Sequence, residues 1–396
     1  MHEQTEDIWA DRYDRQIRFA PIGAKGQARL ANMRALIVGC GALGASLAQH
    51  LTRAGVGKVR IADRDFVEPS NLQRQMLFHE ADALAVLPKA VAAAEKLRAI
   101  NGSIEIEALV TDVNSMTITA AMENVDLVLD GTDNAATRLL LSEACFARNI
   151  PFIYGGVAGA EGMSAMLIPG QTACLRCLIG DEASVEEELN CDTAGVLSAA
   201  VDFIASLQAV EAIKWLSGNR NAVRKSWVVA DLWRFSVREF TLPGCTPGCH
   251  ICGGLADENI VQLNLPRSES IARSDVLAHR EERKHRLQAG TDETPPAHAW
   301  SQTLAVALCG RDSVQVTLPR TFQLEQWQVV FERLGYEIKA NRYLLKIGLP
   351  DGERLVLFPD GRVLVQGIID ADKALRICVR YLTDPLEMQA EEEART

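Results

Sequence analysis

Three glycines open the part of the chain best suited to chemistry. Gly39, Gly41 and Gly44 follow the pattern G-x-G-x-x-G directly after an apolar run. The first glycine permits a tight turn, the second lets the backbone approach a phosphate, and the third lets a helix pack closely on a strand. The N–H groups at the start of the following helix favour an anion. The pattern predicts nucleotide binding, and a glycine turn without a ligand is the alternative.

Polar side chains further along the chain would complete a phosphate site. Asp63 follows the last glycine by about 20 residues, where a carboxylate accepts hydrogen bonds from ribose hydroxyls. The guanidinium of Arg74 can donate two hydrogen bonds to phosphate oxygens, and Lys89 can add a positive point charge. Gln75 adds an amide beside them. Asp133 follows the apolar run DLVLD and suits Mg²⁺, which is held by one or two carboxylates and phosphate oxygens. Surface charge is the alternative for the two cations, and helix capping is the alternative for Asp133.

Two C-x-x-C pairs suggest a metal. Cys174 with Cys177 and Cys249 with Cys252 could each supply two thiolates to a tetrahedral zinc. The long separation between the pairs weakens this interpretation, whereas the prolines and glycines around the second pair favour a zinc knuckle. Unbound cysteines and a redox pair are the alternatives. Cys245 lies beside the second pair and is expected to take no part.

Cys191 is a candidate nucleophile. It precedes an apolar helix predicted over residues 196–216, and a helix N-terminus lowers the pKa of a nearby thiol and favours the thiolate. An ordinary cysteine without chemistry is the alternative.

The elements that must position these residues alternate between apolar strands and helices. The first 155 residues therefore predict an α/β fold, a doubly wound, Rossmann-like domain. A zinc-bearing half follows over residues 156–255. A charged, then Thr/Pro-rich linker is predicted over 256–300, and a small α+β domain over 301–390. That last domain is predicted to have five strands and two helices, and it carries no cluster of His, Cys or paired acids, so docking or assembly is its expected role.

The composition excludes several classes of protein. The 396 residues carry a net charge of −11, which argues against a nucleic-acid surface. With 48% hydrophobic and 23% charged residues, the chain can build an ordinary core. No apolar stretch has the length of a membrane span, and the N-terminus has no signal region. The expectation is a cytoplasmic protein in which ten cysteines are too sparse for a disulfide scaffold.

Seven motifs, taken together, resemble the ThiF/MoeB/HesA family, the bacterial relatives of ubiquitin-activating enzymes. They occur in the family's order between about residues 8 and 254 and are RYDRQI, GCGALG, DRDFVEPSNLQRQ, DGTDN, CLRC, NCDTAGV and PGCHICG. The final domain, with LCGRDSVQV and LVLFPDGRVLVQG, is similar to an appendage of some bacterial members.

The resemblance implies an enzyme that uses ATP to adenylate the C-terminal Gly-Gly carboxylate of a small ubiquitin-like sulfur carrier, ThiS- or MoaD-like. It implies Mg²⁺ as a cofactor and a structural zinc held by Cys174, Cys177, Cys249 and Cys252. The implied nucleotide-binding residues are Gly39, Gly41, Gly44, Asp63, Asp65, Asn71, Arg74, Gln75, Lys89 and Asp133. The implied catalytic residues are Arg15, Arg74, Lys89, Asp133 and Cys191. Arg15 would reach into the partner subunit's site of a homodimer.

Other functions stay open at this point. The chain could activate a ubiquitin-like protein for conjugation through a Cys191 thioester, adenylate a ribosomal peptide, or only bind partners. An NAD-dependent oxidoreductase fits poorly because it needs neither the phosphate-binding cations nor zinc knuckles. No rhodanese domain follows the second cysteine pair, so sulfur is expected from an external donor such as a cysteine desulfurase.

We expect Cys191→Ala to leave adenylation nearly intact, because the carrier carboxylate attacks ATP without help from a protein thiol. The measurement is carrier-dependent exchange of pyrophosphate into ATP. Mass spectrometry with and without a cysteine desulfurase then distinguishes an acyl persulfide, a plain thioester, and no adduct. Loss of exchange in a well-folded variant with normal zinc content would contradict this separation of steps.

Overall fold

The computed structural model describes residues 10–180, 195–256, 304–307 and 312–382. Cys191 and nearly all of the predicted linker lie outside the described residues. Among the helices in the described part, none combines the length and apolar character needed to cross a membrane.

Fourteen strands form two sheets in the described ranges. Strands β1 to β8 are Arg34–Val38, Lys58–Asp63, Glu105–Val110, Leu127–Asp130, Phe152–Ala158, Glu161–Leu167, Ser226–Asp231 and Ser236–Thr241. Strands β9 to β14 are Leu304–Ala307, Ser313–Thr317, Ile338–Asn341, Leu344–Gly348, Arg354–Leu357 and Arg362–Gln366.

The α-helices are numbered α1 to α11 in chain order. They are Asp14–Ile17, Gly23–Leu30, Ala42–Ala54, Glu80–Leu84, Lys89–Ile100, Ile118–Ala121, Ala135–Ala147, Leu175–Ile179, Ser198–Leu216, Leu324–Arg333 and Ala371–Tyr381.

The larger sheet has the order β3-β2-β1-β4-β5-β6-β7-β8. Its first five strands run parallel, and β6, β7 and β8 are antiparallel to their neighbours. The strand order reverses between β1 and β4, which is where ligands bind in open α/β sheets. The predicted doubly wound, Rossmann-like class is confirmed.

Strand β1 shows how this sheet is covered on both faces. Its side chains alternate, so that Ile37 packs in one core with α3, α5 and α9, while Leu36 and Val38 pack in a second core with α6 and α7. All three are at most 3% exposed. Burial on both faces explains why the strand is apolar without interruption.

The smaller sheet has the order β11-β12-β13-β14-β10-β9 and is antiparallel throughout. Helices α10 and α11 contribute to the core on one of its faces. The α+β prediction is confirmed, but the sequence analysis missed strand β11. Its residues, Ile-Lys-Ala-Asn, are half-buried or exposed, so they lack the apolar alternation that marks a strand.

The other face of the smaller sheet packs against the larger domain. The buried cluster between them contains Phe66, Val86, Leu344, Val356, Phe358 and Leu364. Both faces of the sheet are therefore covered, which accounts for the fully buried pattern of β14.

A substitution at Gly44 tests how closely α3 packs on the turn that follows β1. A Cβ added there would lie 1.8 Å from the carbonyl oxygen of Gly39, so we expect Gly44→Ala to lower the free energy of unfolding by at least about 2 kcal/mol. Gly102→Ala is the control, because its nearest contact would be an ordinary 3.7 Å. Denaturant titration measures both variants, and equal stabilities would refute the packing argument.

Candidate functional site

A pocket lies at the carboxyl ends of β1, β2, β3 and β4. Its volume is about 970 Å³ when the solvent at its open mouth is included. Eight of the residues singled out from the sequence line it together: Gly39, Gly41, Asp63, Asp65, Arg74, Gln75, Lys89 and Asp133.

The glycine loop presents backbone to this pocket. Gly39 has φ of +85°, a conformation that glycine adopts without strain. Helix α3 begins after Gly41 without a side-chain cap, so its first N–H groups are oriented for an anion. A Cβ at Gly41 would approach the amide of Gln75 at 3.9 Å. Gln75 is 2% exposed, and within the described ranges its Oε1 has no hydrogen-bond partner. The carbonyl oxygen of Gln75 is an acceptor like the phosphate oxygens, so the fit to a phosphate chain comes from the N–H groups at the start of α3.

Asp63 holds the glycine loop in place. Its two carboxylate oxygens accept hydrogen bonds from the backbone N–H groups of Cys40 (2.5 Å) and Asp65 (2.7 Å). Burial raises the pKa of the Asp63 carboxyl, and the positive charge of Lys89 opposes that rise. Asp63 thus fixes the loop as well as lining the pocket.

Lys89 is buried at the base of the pocket with a defined partner. Only 2% of the residue is exposed, and its Nζ lies 3.1 Å from Oδ2 of Asp65. The backbone of the same two residues is also joined, because Lys89 N donates to Asp65 O at 2.8 Å. Because a carboxylate already holds the Lys89 ammonium, this cation can contact a phosphate without rearranging.

Asp133 lies exposed at the pocket, while its neighbour supplies the helix cap. The side chain of Asn134 accepts a hydrogen bond from Thr137 N at 2.9 Å at the start of α7. The capping alternative therefore applies to Asn134.

Several lining residues were missed by the sequence analysis. Arg64 Nη1 donates to Asp112 Oδ1 at 3.0 Å, which joins the ends of β2 and β3. Arg138 Nε lies 3.2 Å from the buried carboxylate of Asp130 and steadies the turn after β4. Arg64 and Asp112 come just after strand ends, and that position was the available signal.

Arg15 and Asn71 do not join the pocket lining. Arg15 has an 87% exposed side chain, and Asn71 accepts a hydrogen bond from Glu68 N at 3.1 Å, which closes a local turn. Gly44 packs against Gly39 beneath the pocket lining. Arg74 does line the pocket, and its Nη1 donates a hydrogen bond to Ser70 O at 3.0 Å.

The four predicted cysteines converge at a second place. Their sulfur atoms all lie within 4.8 Å of one another. The distances are 3.7 Å for Cys174–Cys177, 3.8 Å for Cys174–Cys249 and 3.9 Å for Cys177–Cys252. A tetrahedral zinc with bonds of about 2.3 Å needs sulfur separations of roughly 3.8 Å. The predicted cluster is confirmed, and its geometry is compatible with zinc.

Backbone N–H groups reach two of the four sulfur atoms. Thr246 N lies 3.4 Å from Cys252 Sγ, and Ile251 N lies 3.4 Å from Cys249 Sγ. Partial burial acts to raise the pKa of Cys249, but hydrogen bonds from the backbone of Cys252 and Ile251 and with the neighbouring thiols lower it to about 6. Burial raises the pKa of Cys174 and Cys177 in the absence of a metal ion. Cys245 stands apart, because its thiol donates to the carbonyl of Thr172 at 3.4 Å.

The family assignment follows from the match of a sequence model to residues 13–251, described as the ThiF family. The chain belongs to the ThiF family. The matched region contains the pocket and three of the four clustered cysteines, and Cys252 lies one residue beyond it.

Curated relatives extend beyond that region. The sulfur carrier protein ThiS adenylyltransferase of Bacillus subtilis is 36% identical over 94% of this chain and 99% of its own length. The molybdopterin-synthase adenylyltransferase of Escherichia coli is 38% identical over 61% of this chain and 96% of its own length. The adenylyltransferase and sulfurtransferase MOCS3 of Sus scrofa is 36% identical, and the match spans about half (53%) of that protein.

The solved structure of Escherichia coli MccB has the same fold. The TM-score is 0.54 at 21% identity, over 63% of this chain and 74% of MccB. Together with the family and its relatives, the pocket identifies this ThiF-family chain as a nucleotidyltransferase of the adenylyltransferase type.

We expect Cys174→Ala and Cys252→Ala to lose bound zinc and much of their stability, because structural zinc contributes roughly 10–16 kcal/mol of apparent binding free energy in small peptides. Cys245→Ala removes a neighbouring thiol outside the cluster and should keep its zinc. Elemental analysis and thermal unfolding measure both effects. A folded wild-type protein without zinc would show that the cluster has another role.

Proposed function

We propose that this ThiF-family enzyme adenylates the C-terminal Gly-Gly carboxylate of a ubiquitin-like sulfur carrier. The carboxylate oxygen forms a bond to the α-phosphorus of ATP, the bond to the β-phosphate oxygen breaks, and pyrophosphate leaves. The product is an acyl adenylate that a sulfur donor can attack. The observation that carries the proposal is the convergence of the uncapped helix α3, Lys89, Arg74 and Asp133 on one pocket.

Charge is the main obstacle to this reaction, because two anions must approach each other. The cations of Lys89 and Arg74 and the N–H groups of the glycine loop offset the negative charge that develops on the phosphates. Asp65 keeps the Lys89 ammonium in place at 3.1 Å. The pocket walls hold the reactants in line, which lowers the entropic cost of the encounter.

Asp133 would hold the magnesium ion of the bound nucleotide. A magnesium ion held there would offset the negative charge of the leaving pyrophosphate. Asp63 takes the ribose side of the pocket. The cysteine cluster would hold a structural zinc, since four protein thiolates complete a tetrahedral site and leave no open coordination position for chemistry.

The carrier is proposed to be ThiS-like. The support is the ThiS adenylyltransferase of Bacillus subtilis, whose match runs through 94% of the chain and includes the small domain. The matches to the ThiS adenylyltransferase and to the molybdopterin-synthase adenylyltransferase of Escherichia coli both cover 61% of the chain. We assign residues 1–255 to the adenylyltransferase domain, 256–300 to a linker and 301–390 to the small domain.

An external cysteine desulfurase would supply sulfur.

A homodimer is part of the proposal. The side chain of Arg15 is 87% exposed and does not line the pocket of its own chain. An exposed arginine near the N-terminus can therefore complete the partner subunit's site.

We expect Asp133→Asn to reduce carrier-dependent exchange of pyrophosphate into ATP by roughly 100-fold, because the amide binds Mg²⁺ poorly. The control is Glu123→Gln, an exposed acid outside the pocket lining, which should behave as wild type. Thermal unfolding checks that both variants fold. Full activity in Asp133→Asn, or exchange without any carrier, would argue against the proposed reaction.

A further inference from the structure

The small domain contacts the rim of the nucleotide pocket. Three short segments of the larger domain meet it: 64–68 after β2, 85–86 before α5, and 110–112 at the end of β3. The segments after β2 and β3 line the pocket, and α5 begins with Lys89. The small domain therefore lies behind the residues that face the nucleotide.

Asn341 makes the most direct connection. Its Nδ2 donates to the carbonyl oxygens of Ala85 (3.0 Å) and Val86 (2.9 Å). Its Oδ1 accepts from the backbone N–H groups of Tyr343 (2.8 Å) and Leu344 (3.1 Å) in the β11–β12 hairpin. The amide is thus fixed by its own hairpin, with its donor directed at the other domain.

The turn that Asn341 holds has a strained backbone. Val86 has φ of +51°, which a β-branched residue adopts only when its surroundings enforce it. It is 4% exposed and packs in the buried cluster with Leu344 and Phe358 of the small domain. Lys89 follows three residues later, so the path of this turn sets where α5 begins and where the Lys89 ammonium lies.

A second set of contacts holds the strand ends. Arg362 is 6% exposed and donates to the carbonyl oxygens of Arg64 (3.4 Å) and Val110 (3.5 Å). Gln315 Nε2 donates to Asp112 Oδ2 at 3.3 Å. Arg64 and Asp112 are the pair that joins the ends of β2 and β3.

We propose that the small domain shapes the nucleotide pocket, with Asn341 as a positioning residue for Lys89 and with Gln315 and Arg362 holding the adjoining strand ends. The inference rests on the proposed function, since it takes the pocket as the ATP site. It gives the small domain a role in nucleotide affinity without any contact with the nucleotide.

The test is Asn341→Asp in the full chain. This change keeps the acceptor that closes the hairpin, removes the donor, and places a carboxylate against two carbonyl oxygens. Affinity for α,β-methylene-ATP with Mg²⁺, measured by isothermal titration without carrier, should fall roughly tenfold. The KM for ATP in pyrophosphate exchange should rise more than kcat falls. The control is Gln326→Glu, the same change of amide to carboxylate at an exposed position of α10.

The outcomes separate the two proposals. Wild-type affinity in a folded Asn341→Asp variant overturns the role of the small domain and leaves the proposed function standing. A second outcome is that the variant binds the analogue more weakly than the wild type does, while the wild type shows no exchange with any Gly-Gly carrier. That outcome overturns the proposed reaction only. A wild-type chain that binds no nucleotide overturns both. If Asn341→Asp unfolds, Gln315→Met removes one interface amide instead, and unchanged affinity in that folded variant overturns the inference.

Discussion

Three glycines lie so close together under the pocket that none of them can carry a side chain. A Cβ at Gly44 would lie 1.8 Å from the carbonyl oxygen of Gly39, and one at Gly131 would lie 2.4 Å from the same atom. This contact brings the start of α3 and the turn after β4 against the turn after β1. The helix N-terminus, Asp63 and Asp133 all depend on it for their relative positions.

The pocket is charged before any ligand arrives, and its charges are balanced locally. Lys89 is buried beside Asp65, and Arg64 pairs with Asp112 at the rim. Desolvating a cation is costly unless a partner is near, so the carboxylates make the buried cation stable. A nucleotide can then bind to groups that are already oriented, which is the arrangement that electrostatic catalysis requires.

Two long-range connections join segments that lie far apart in the sequence. The cysteine cluster joins the segment after β6 to the segment after β8. The small domain packs over the long connection between β2 and α5, where Asn341 holds the strained turn at Val86. Long connections with little secondary structure are mobile by default. Covering this one with a whole domain reduces the number of conformations open to it.

The sequence alone determined the α/β class, the glycine loop, eight of the residues that line the pocket and the four-cysteine cluster, because periodicity and fixed spacings are local properties of the chain. Tertiary structure decided what depends on distant segments. It placed Asn71 in a local turn, brought Arg64 and Arg138 into the pocket, and formed strand β11 from residues with no apolar pattern. It also seated the small domain against Val86, since packing between domains follows from three-dimensional shape and leaves no periodic signal in the sequence.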